Sequence, residues 1–238
     1  MNITDITDED EKKPLVRQTA DPYVYFHKDG YYYFTYSCPE YDRIEIRRAW
    51  SVKGLEEARP LTVWRKHADG PMSWHIWAPE LHYIDSKWYL YFAAGRAEDP
   101  WWIRTWVLEN TSQDPFCGEW VEKGMLVPEW DSFMLDTTVF ENKGKHFAVW
   151  AQKSPEKTEN SCLYLAEMSS PYELKFPVTL LSRPEFDWEC RGFKVNEGAA
   201  VLKRNGKIFI TYSASATDAT YCMGLLYADE NADLTKAE

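Results

Sequence analysis

The sequence predicts an all-β fold of the propeller type, and three observations predict it. First, a carboxylate opens an extended segment four times: Asp21-Pro22-Tyr23-Val24-Tyr25, Glu80-Leu81-His82-Tyr83-Ile84, Asp136-Thr137-Thr138-Val139-Phe140 and Glu197-Gly198-Ala199-Ala200-Val201. The separations are 59, 56 and 61 residues. A strand-built repeat of that length marks a propeller-like array. Second, every opening segment runs into turn residues and then into a returning run rich in aromatic and β-branched side chains, the types that favour strands. Third, no stretch shows sustained helical periodicity, apart from a turn near Leu55-Glu56-Glu57-Ala58.

Residues 1–19 read as a polar lead-in, and residues 20–238 as one propeller domain. In the first repeat the strand from Asp21 meets the turn Lys28-Asp29-Gly30 and returns over 31–36. A third strand covers 44–50, and a short fourth lies near Trp64. The second repeat has the turn Asp85-Ser86-Lys87, strands over 88–92 and 103–108, and an outer strand near Trp120, with Trp101 and Trp102 in an inter-strand loop. The third turns at Asn142-Lys143-Gly144-Lys145, continues over 146–150 and 163–168, and closes near Leu180-Leu181. The fourth turns at Arg204-Asn205-Gly206-Lys207 and continues over 208–212 and 223–228. Gly, Asn and Asp at these turns supply the positive φ angles of tight hairpins. Four strands per unit make a propeller blade. The fourth unit lacks its outer strand, so the chain reads as a propeller cut short. An open propeller edge calls for a cover, either a rearranged terminus or another chain in an oligomer.

Composition narrows the function. The chain has 238 residues, 45% apolar and 16% aromatic, with a formal net charge of −11. That balance excludes a phosphate backbone as partner, which would need a basic stripe. No run reaches membrane-spanning length. The acidic start Met1-Asn2-Ile3-Thr4-Asp5 shows no signal peptide. The five cysteines are widely spaced, form no CxxC, and read as reduced thiols of a cytoplasmic protein; a secreted setting would require a leader outside this sequence. The five histidines have no zinc-ligand spacing. Metal ligands are therefore not expected among them.

In a propeller the innermost strand of each blade lines the central channel. Asp21, Glu80, Asp136 and Glu197 would then ring one opening. A single strand-initial Asp is ordinarily a turn residue. Four carboxylates in register are different, because like charges in a partly desolvated funnel raise one another's pKa.

The segments Ala20-Asp21-Pro22, Trp77-Ala78-Pro79-Glu80-Leu81, Leu135-Asp136-Thr137-Thr138 and Asn196-Glu197-Gly198 resemble the blade signatures of glycoside hydrolase family 43. The likeness runs from about Asp21 to the C-terminus, in the family's order and spacing. The stretch from Lys203 to Ser215 further resembles its exo-acting α-L-arabinofuranosidases. The resemblance implies a five-bladed β-propeller, of which this chain covers about four blades. It implies Asp21 as the general base that activates water, Glu197 as the general acid, and Asp136 as the carboxylate that tunes the acid. An inverting glycosidase needs such a pair roughly 6.5–9.5 Å apart, with a water between. A negative charge at Asp136 would keep Glu197 protonated near neutral pH. Glu80 is expected to support the site and Trp77 to offer a sugar platform. Phe133 and Met134 are expected to wall the pocket. No cofactor is required, and the family implies a structural calcium or sodium ion in the central channel. The sequence departs from the family at Ala199, where a proline is usual.

The function implied is removal of terminal α-L-arabinofuranosyl units from arabinan or arabino-oligosaccharides. Arabinose- or xylose-containing oligosaccharides are the expected partners, with no nucleic acid and no membrane. A β-xylosidase of the same family and a non-catalytic carbohydrate-binding propeller are the alternatives. A protein-interaction propeller ranks below them, because the Gly-His and Trp-Asp repeat signatures are absent.

Overall fold

A computed structural model describes residues 13–156 and 158–236. The first twelve residues of the expected lead-in therefore lie outside the described residues. The strands are β1 (Ala20–Phe26), β2 (Tyr32–Ser37), β3 (Arg43–Ala49) and β4 (Leu61–Arg65); β5 (Pro71–Ile84), β6 (Lys87–Arg96), β7 (Asp99–Asn110) and β8 (Val121–Met125); β9 (Met134–Asn142), β10 (Lys145–Gln152), β11 (Cys162–Ser170), β12 (Glu173–Leu174) and β13 (Thr179–Ser182); and β14 (Asn196–Arg204), β15 (Lys207–Ala214) and β16 (Cys222–Asp229). They form four antiparallel sheets in chain order, each beginning with its innermost strand. The all-β propeller arrangement is thus the observed one. Among the described residues the helical pieces are two 3-10 turns, Lys53–Leu55 and Asp187–Glu189.

The hairpin turns follow the sequence closely. Three consist of two residues with positive φ: Asp85-Ser86, Lys143-Gly144 and Asn205-Gly206. Such turns match the right-handed twist of their flanking strands. The first hairpin is longer and closes on Gly30, whose φ is 89°.

Strand alternation assigns each sheet two neighbours. On β6, Trp88, Leu90, Phe92 and Ala94 pack with Tyr33, Ile44 and Ile46 of the first sheet. Tyr89 and Tyr91 point the other way and pack with Val139, Ala148 and Trp150 of the third. On β10, Phe147, Val149 and Ala151 turn toward Ala199, Ile208, Ile210 and Tyr212 of the fourth. The core therefore lies in the seams between sheets, as side chains of period two dictate. Two strands run longer than the sequence pattern shows. β5 starts nine residues before Glu80. β7 includes Trp101 and Trp102, which therefore sit on a strand and not in a loop. Gly95 permits this. A Cβ there would lie 2.4 Å from the Pro100 carbonyl oxygen, so only glycine lets the two strands approach.

Candidate active site

Each innermost strand carries the same irregularity. Pairing is interrupted between Ala20 and Tyr23, Trp77 and Glu80, Leu135 and Thr138, and Glu197 and Ala200. Two residues oppose one in every case, which is a β-bulge. The bulged pairs are Asp21-Pro22, Ala78-Pro79, Asp136-Thr137 and Gly198-Ala199. The residue opposite is aromatic each time: Tyr36, Phe92, Trp150 and Tyr212. The first member of each pair has positive φ, at 50°, 44°, 53° and 61°. Three of these four are not glycine, so the backbone is strained where it re-aims side chains into the channel.

This register corrects the expectation that the four acids stand at the same position of each strand. Asp21 and Asp136 occupy the bulge position itself. Glu197 precedes its bulge by one residue, and Glu80 follows its own by one. All four nevertheless line one cavity of about 930 Å³, together with Trp77 and Phe133. Met134 does not line it. That side chain is fully buried in the seam between the second and third sheets, against Trp150 and Leu126. The cavity wall there is Leu135, because the bulge carries Leu135 and Asp136 to the same side. Sequence reasoning also missed Tyr41, Ser213 and Tyr221 in the lining. Those three lie outside the four strand-opening segments.

The bulges hold one another's carboxylates. Ser37 Oγ donates to Asp21 Oδ2 at 2.5 Å and accepts from the backbone N–H of Ala78 at 2.7 Å. The Gly198 N–H donates directly to Asp136 Oδ2 at 2.9 Å. A bulge in one sheet thus supports the carboxylate of the sheet before it. Thr35 adds a second tie, donating to the Pro79 carbonyl at 2.5 Å. Tyr221 donates its hydroxyl to Glu197 Oε1 at 3.0 Å. His82 lies with Nε2 2.9 Å from Glu80 Oε2 and Nδ1 3.4 Å from the Tyr23 hydroxyl. With the proton on Nε2, His82 donates to Glu80 and accepts from Tyr23.

The electrostatics divide the acids. Burial, then the negative charges of Glu197 and Asp21, push Asp136 well above the usual carboxylate range. Glu197 is also raised, first by burial and then by the charge of Asp21, against the pull of the Tyr221 hydrogen bond. Desolvation thus outranks neighbouring charge at both groups, whereas the sequence placed the charge of Asp136 first for Glu197. Two interacting buried carboxyls retain a proton at a pH where exposed ones have lost it. Such a pair can deliver a proton, and an ionised carboxylate across the cavity can receive one.

The match to a family model decides the class: residues 12–236 fit the model for glycosyl hydrolases family 43. The chain belongs to that family. Relatives within reach are similar over most of the chain. An extracellular exo-α-(1→5)-L-arabinofuranosidase of Streptomyces chartreusis is 54% identical over 94% of this chain and 68% of its own length. A protein of the same name from Streptomyces avermitilis is 50% identical over 94% of this chain and 47% of its own. The chain thus spans about half the length of that second relative. The solved α-L-arabinofuranosidase from Lactobacillus brevis superimposes with a TM-score of 0.90 at 52% identity, covering 94% of this chain and 71% of that one.

For a family 43 chain, the implied channel ion needs a donor set. Among the described residues no three His, Cys, Asp or Glu side chains converge as metal ligands. No described helix is long and apolar enough to cross a membrane. All five cysteines are free thiols, with Cys38 and Cys162 buried.

Proposed function

We propose that this chain carries the catalytic site of an inverting exo-hydrolase that releases terminal α-L-arabinofuranosyl units from α-(1→5)-linked arabinan or its oligosaccharides. The observation that carries the reading is the set of three carboxylates, from the first, third and fourth sheets, that line one cavity. Asp21, oriented by Ser37, takes a proton from water as the water attacks the anomeric carbon. Glu197 gives its proton to the leaving glycosidic oxygen. The C–O bond breaks as the new C–O bond forms, and the configuration inverts. Asp136 keeps the proton inventory of the pair high, so the acid is loaded at neutral pH. The Asp136 anchor on Gly198 N–H holds it beside Glu197.

The names of the arabinofuranosidase relatives, at 50% and 54% identity, favour arabinose over xylose as the terminal sugar. Two of them are named extracellular, which favours a secreted setting over the cytoplasmic one that the thiols alone predict. The test is replacement of Asp21 or Glu197 by Ala in the full protein. Hydrolysis of an aryl α-L-arabinofuranoside should fall by about 10²–10⁴-fold, the usual weight of a positioned acid or base. Near-normal turnover in either variant would refute the assignment. Parallel assay on the aryl β-xyloside separates the two sugars, and NMR of the first-formed anomer reports inversion.

A further inference from the structure

Two of the three carboxylates are held by the bulges, and the third is held differently. Asp21 is reached through Ser37, and Asp136 by the Gly198 N–H. Tyr221 stands in the connection between β15 and β16, lines the cavity, and donates its hydroxyl to Glu197 Oε1 at 3.0 Å. Among the described residues it is the one hydrogen-bond donor to that carboxyl. The acid and base roles above leave this hydroxyl unused.

The segment that carries Tyr221 holds it in place. The Asp218 carboxylate accepts from the N–H and the hydroxyl of Thr220, both at 2.7 Å, and the Tyr221 N–H donates to the Asp218 carbonyl at 3.1 Å. The start of the connection is tied to the chain that leads into β14. Ser215 Oγ donates to the Trp188 carbonyl at 2.7 Å and accepts from the Arg191 N–H at 3.0 Å. The Ser215 N–H donates to the Val195 carbonyl at 3.2 Å. Glu197, Ser213 and Met223 stand in one row across the fourth sheet. Tyr221 lies two residues before Met223, which puts its ring on the same face of the sheet as Glu197. Burial, then the charge of Glu197, push the Tyr221 phenol above its ordinary value. The hydroxyl therefore keeps its proton and stays a donor at neutral pH.

We propose that Tyr221 is a positioning residue for the general acid: by occupying Oε1 of Glu197 it keeps the transferable proton on Oε2 and stabilises the carboxylate left when that proton has gone. The inference rests on the exo-hydrolase reading above. In the resting acid the Tyr221 bond ends on a neutral carbonyl oxygen. As the glycosidic C–O bond breaks, the proton passes from Oε2 to the departing oxygen, and the negative charge left on Glu197 spreads to Oε1. A hydrogen bond to a charged oxygen is roughly twice as strong as one to a neutral oxygen. The contact is thus stronger in the transition state than in the bound ground state, which is the condition for it to raise the rate. Its benefit grows with the demand for the proton. A leaving group of weak acidity, such as a sugar or unsubstituted phenol, needs the proton delivered, whereas 4-nitrophenolate departs largely without it.

The test compares phenyl and 4-nitrophenyl α-L-arabinofuranosides, which share the terminal sugar and the aryl ring, in the full protein. Inversion has one chemical step, so kcat/KM reports departure of the leaving group for both. Tyr221→Phe keeps the ring and loses the hydroxyl. Its kcat/KM on the phenyl glycoside should fall about tenfold, the difference between a charged and a neutral hydrogen bond, and on the 4-nitrophenyl glycoside less than about threefold. An unchanged phenyl rate, or an equal loss on both substrates, overturns the proposal, because a packing or sugar-contact role does not follow the leaving group. Glu197→Ala marks the reading beneath it and should show the same split more steeply. If Glu197→Ala shows the split and Tyr221→Phe does not, Tyr221 alone is misassigned. If the unaltered protein hydrolyses neither glycoside, or Glu197→Ala loses little on either, the hydrolase reading fails and the Tyr221 role falls with it.

Discussion

The first and third innermost strands differ from the second and fourth at one position of a shared backbone. All four have the same two-against-one bulge, the same positive φ and an aromatic residue opposite. Strands β1 and β9 place aspartate there, while β5 and β14 place alanine and glycine. The small residues are not idle. The Ala78 N–H reaches Asp21 through Ser37, and the Gly198 N–H reaches Asp136 directly. One pair of blades thus presents carboxylates and the other presents the amide donors that hold them. A repeated bulge has become two complementary parts, and the same strain serves both.

Three substitutions break or sharpen this comparison. The largest effect is expected at Asp136. Asp136→Asn keeps an oxygen for the Gly198 N–H but removes the titratable group, and kcat should drop about 10²-fold or more by the usual weight of a proton-handling group. Its stability should respond with the opposite sign. The folded protein raises the pKa of Asp136, so it binds that proton more tightly than the unfolded chain does. Wild-type stability therefore falls as pH rises above the ordinary value of 3.8 until Asp136 has ionised. Urea unfolding should find Asp136→Asn more stable than wild type near neutral pH, with the gap closing in acid. A gap that persists unchanged at low pH would contradict the burial of this carboxyl.

Ser37 comes next. Ser37→Ala removes the donor to Asp21 and leaves the Ala78 N–H without its acceptor. Hydrogen bonds to charged groups are worth about 1.5–3 kcal/mol, so kcat/KM should fall roughly ten- to a hundredfold. Threonine at the same position should restore part of that loss. The smallest effect is expected for Ala78→Gly. Alanine at φ 44° carries a steric cost that glycine does not. Melting should show a gain of up to about 1 kcal/mol, with turnover little altered. A marked loss of turnover would mean that the Ala78 methyl group itself shapes the cavity.

Much of this architecture is legible in the sequence. Asn205-Gly206 and Lys143-Gly144 announce their hairpins, because few residue pairs tolerate two positive φ angles in a row. The outer strands near Trp64 and Leu180 also fall where the spacing puts them. The bulges are not legible, because period-two alternation assumes a regular ladder. That assumption makes Glu80 look equivalent to Asp21, when Ala78 is the residue in that position. Nearness to Asp136 in the sequence points to Met134 as cavity wall and passes over Leu135. Ser37 and Tyr221 stay hidden for another reason. Each reaches its carboxylate from a segment whose own pattern speaks only of strands and turns. Trp101 looks like loop because Asp99-Pro100 reads as a breaker, and only the close approach at Gly95 makes it strand.

The alternation along β6 and β10 has an evolutionary consequence. Odd and even positions of one strand answer to different neighbours: Val149 to the fourth sheet, Trp150 to the second. A change of volume at Val149 must be met by Ile208 or Ile210, not by the residues beside it in its own chain segment. The unit that must vary together is then the seam between two sheets, half a repeat out of step with the repeat read along the sequence. Copying a blade transmits two half-seams, and each must be refitted to a partner inherited from elsewhere.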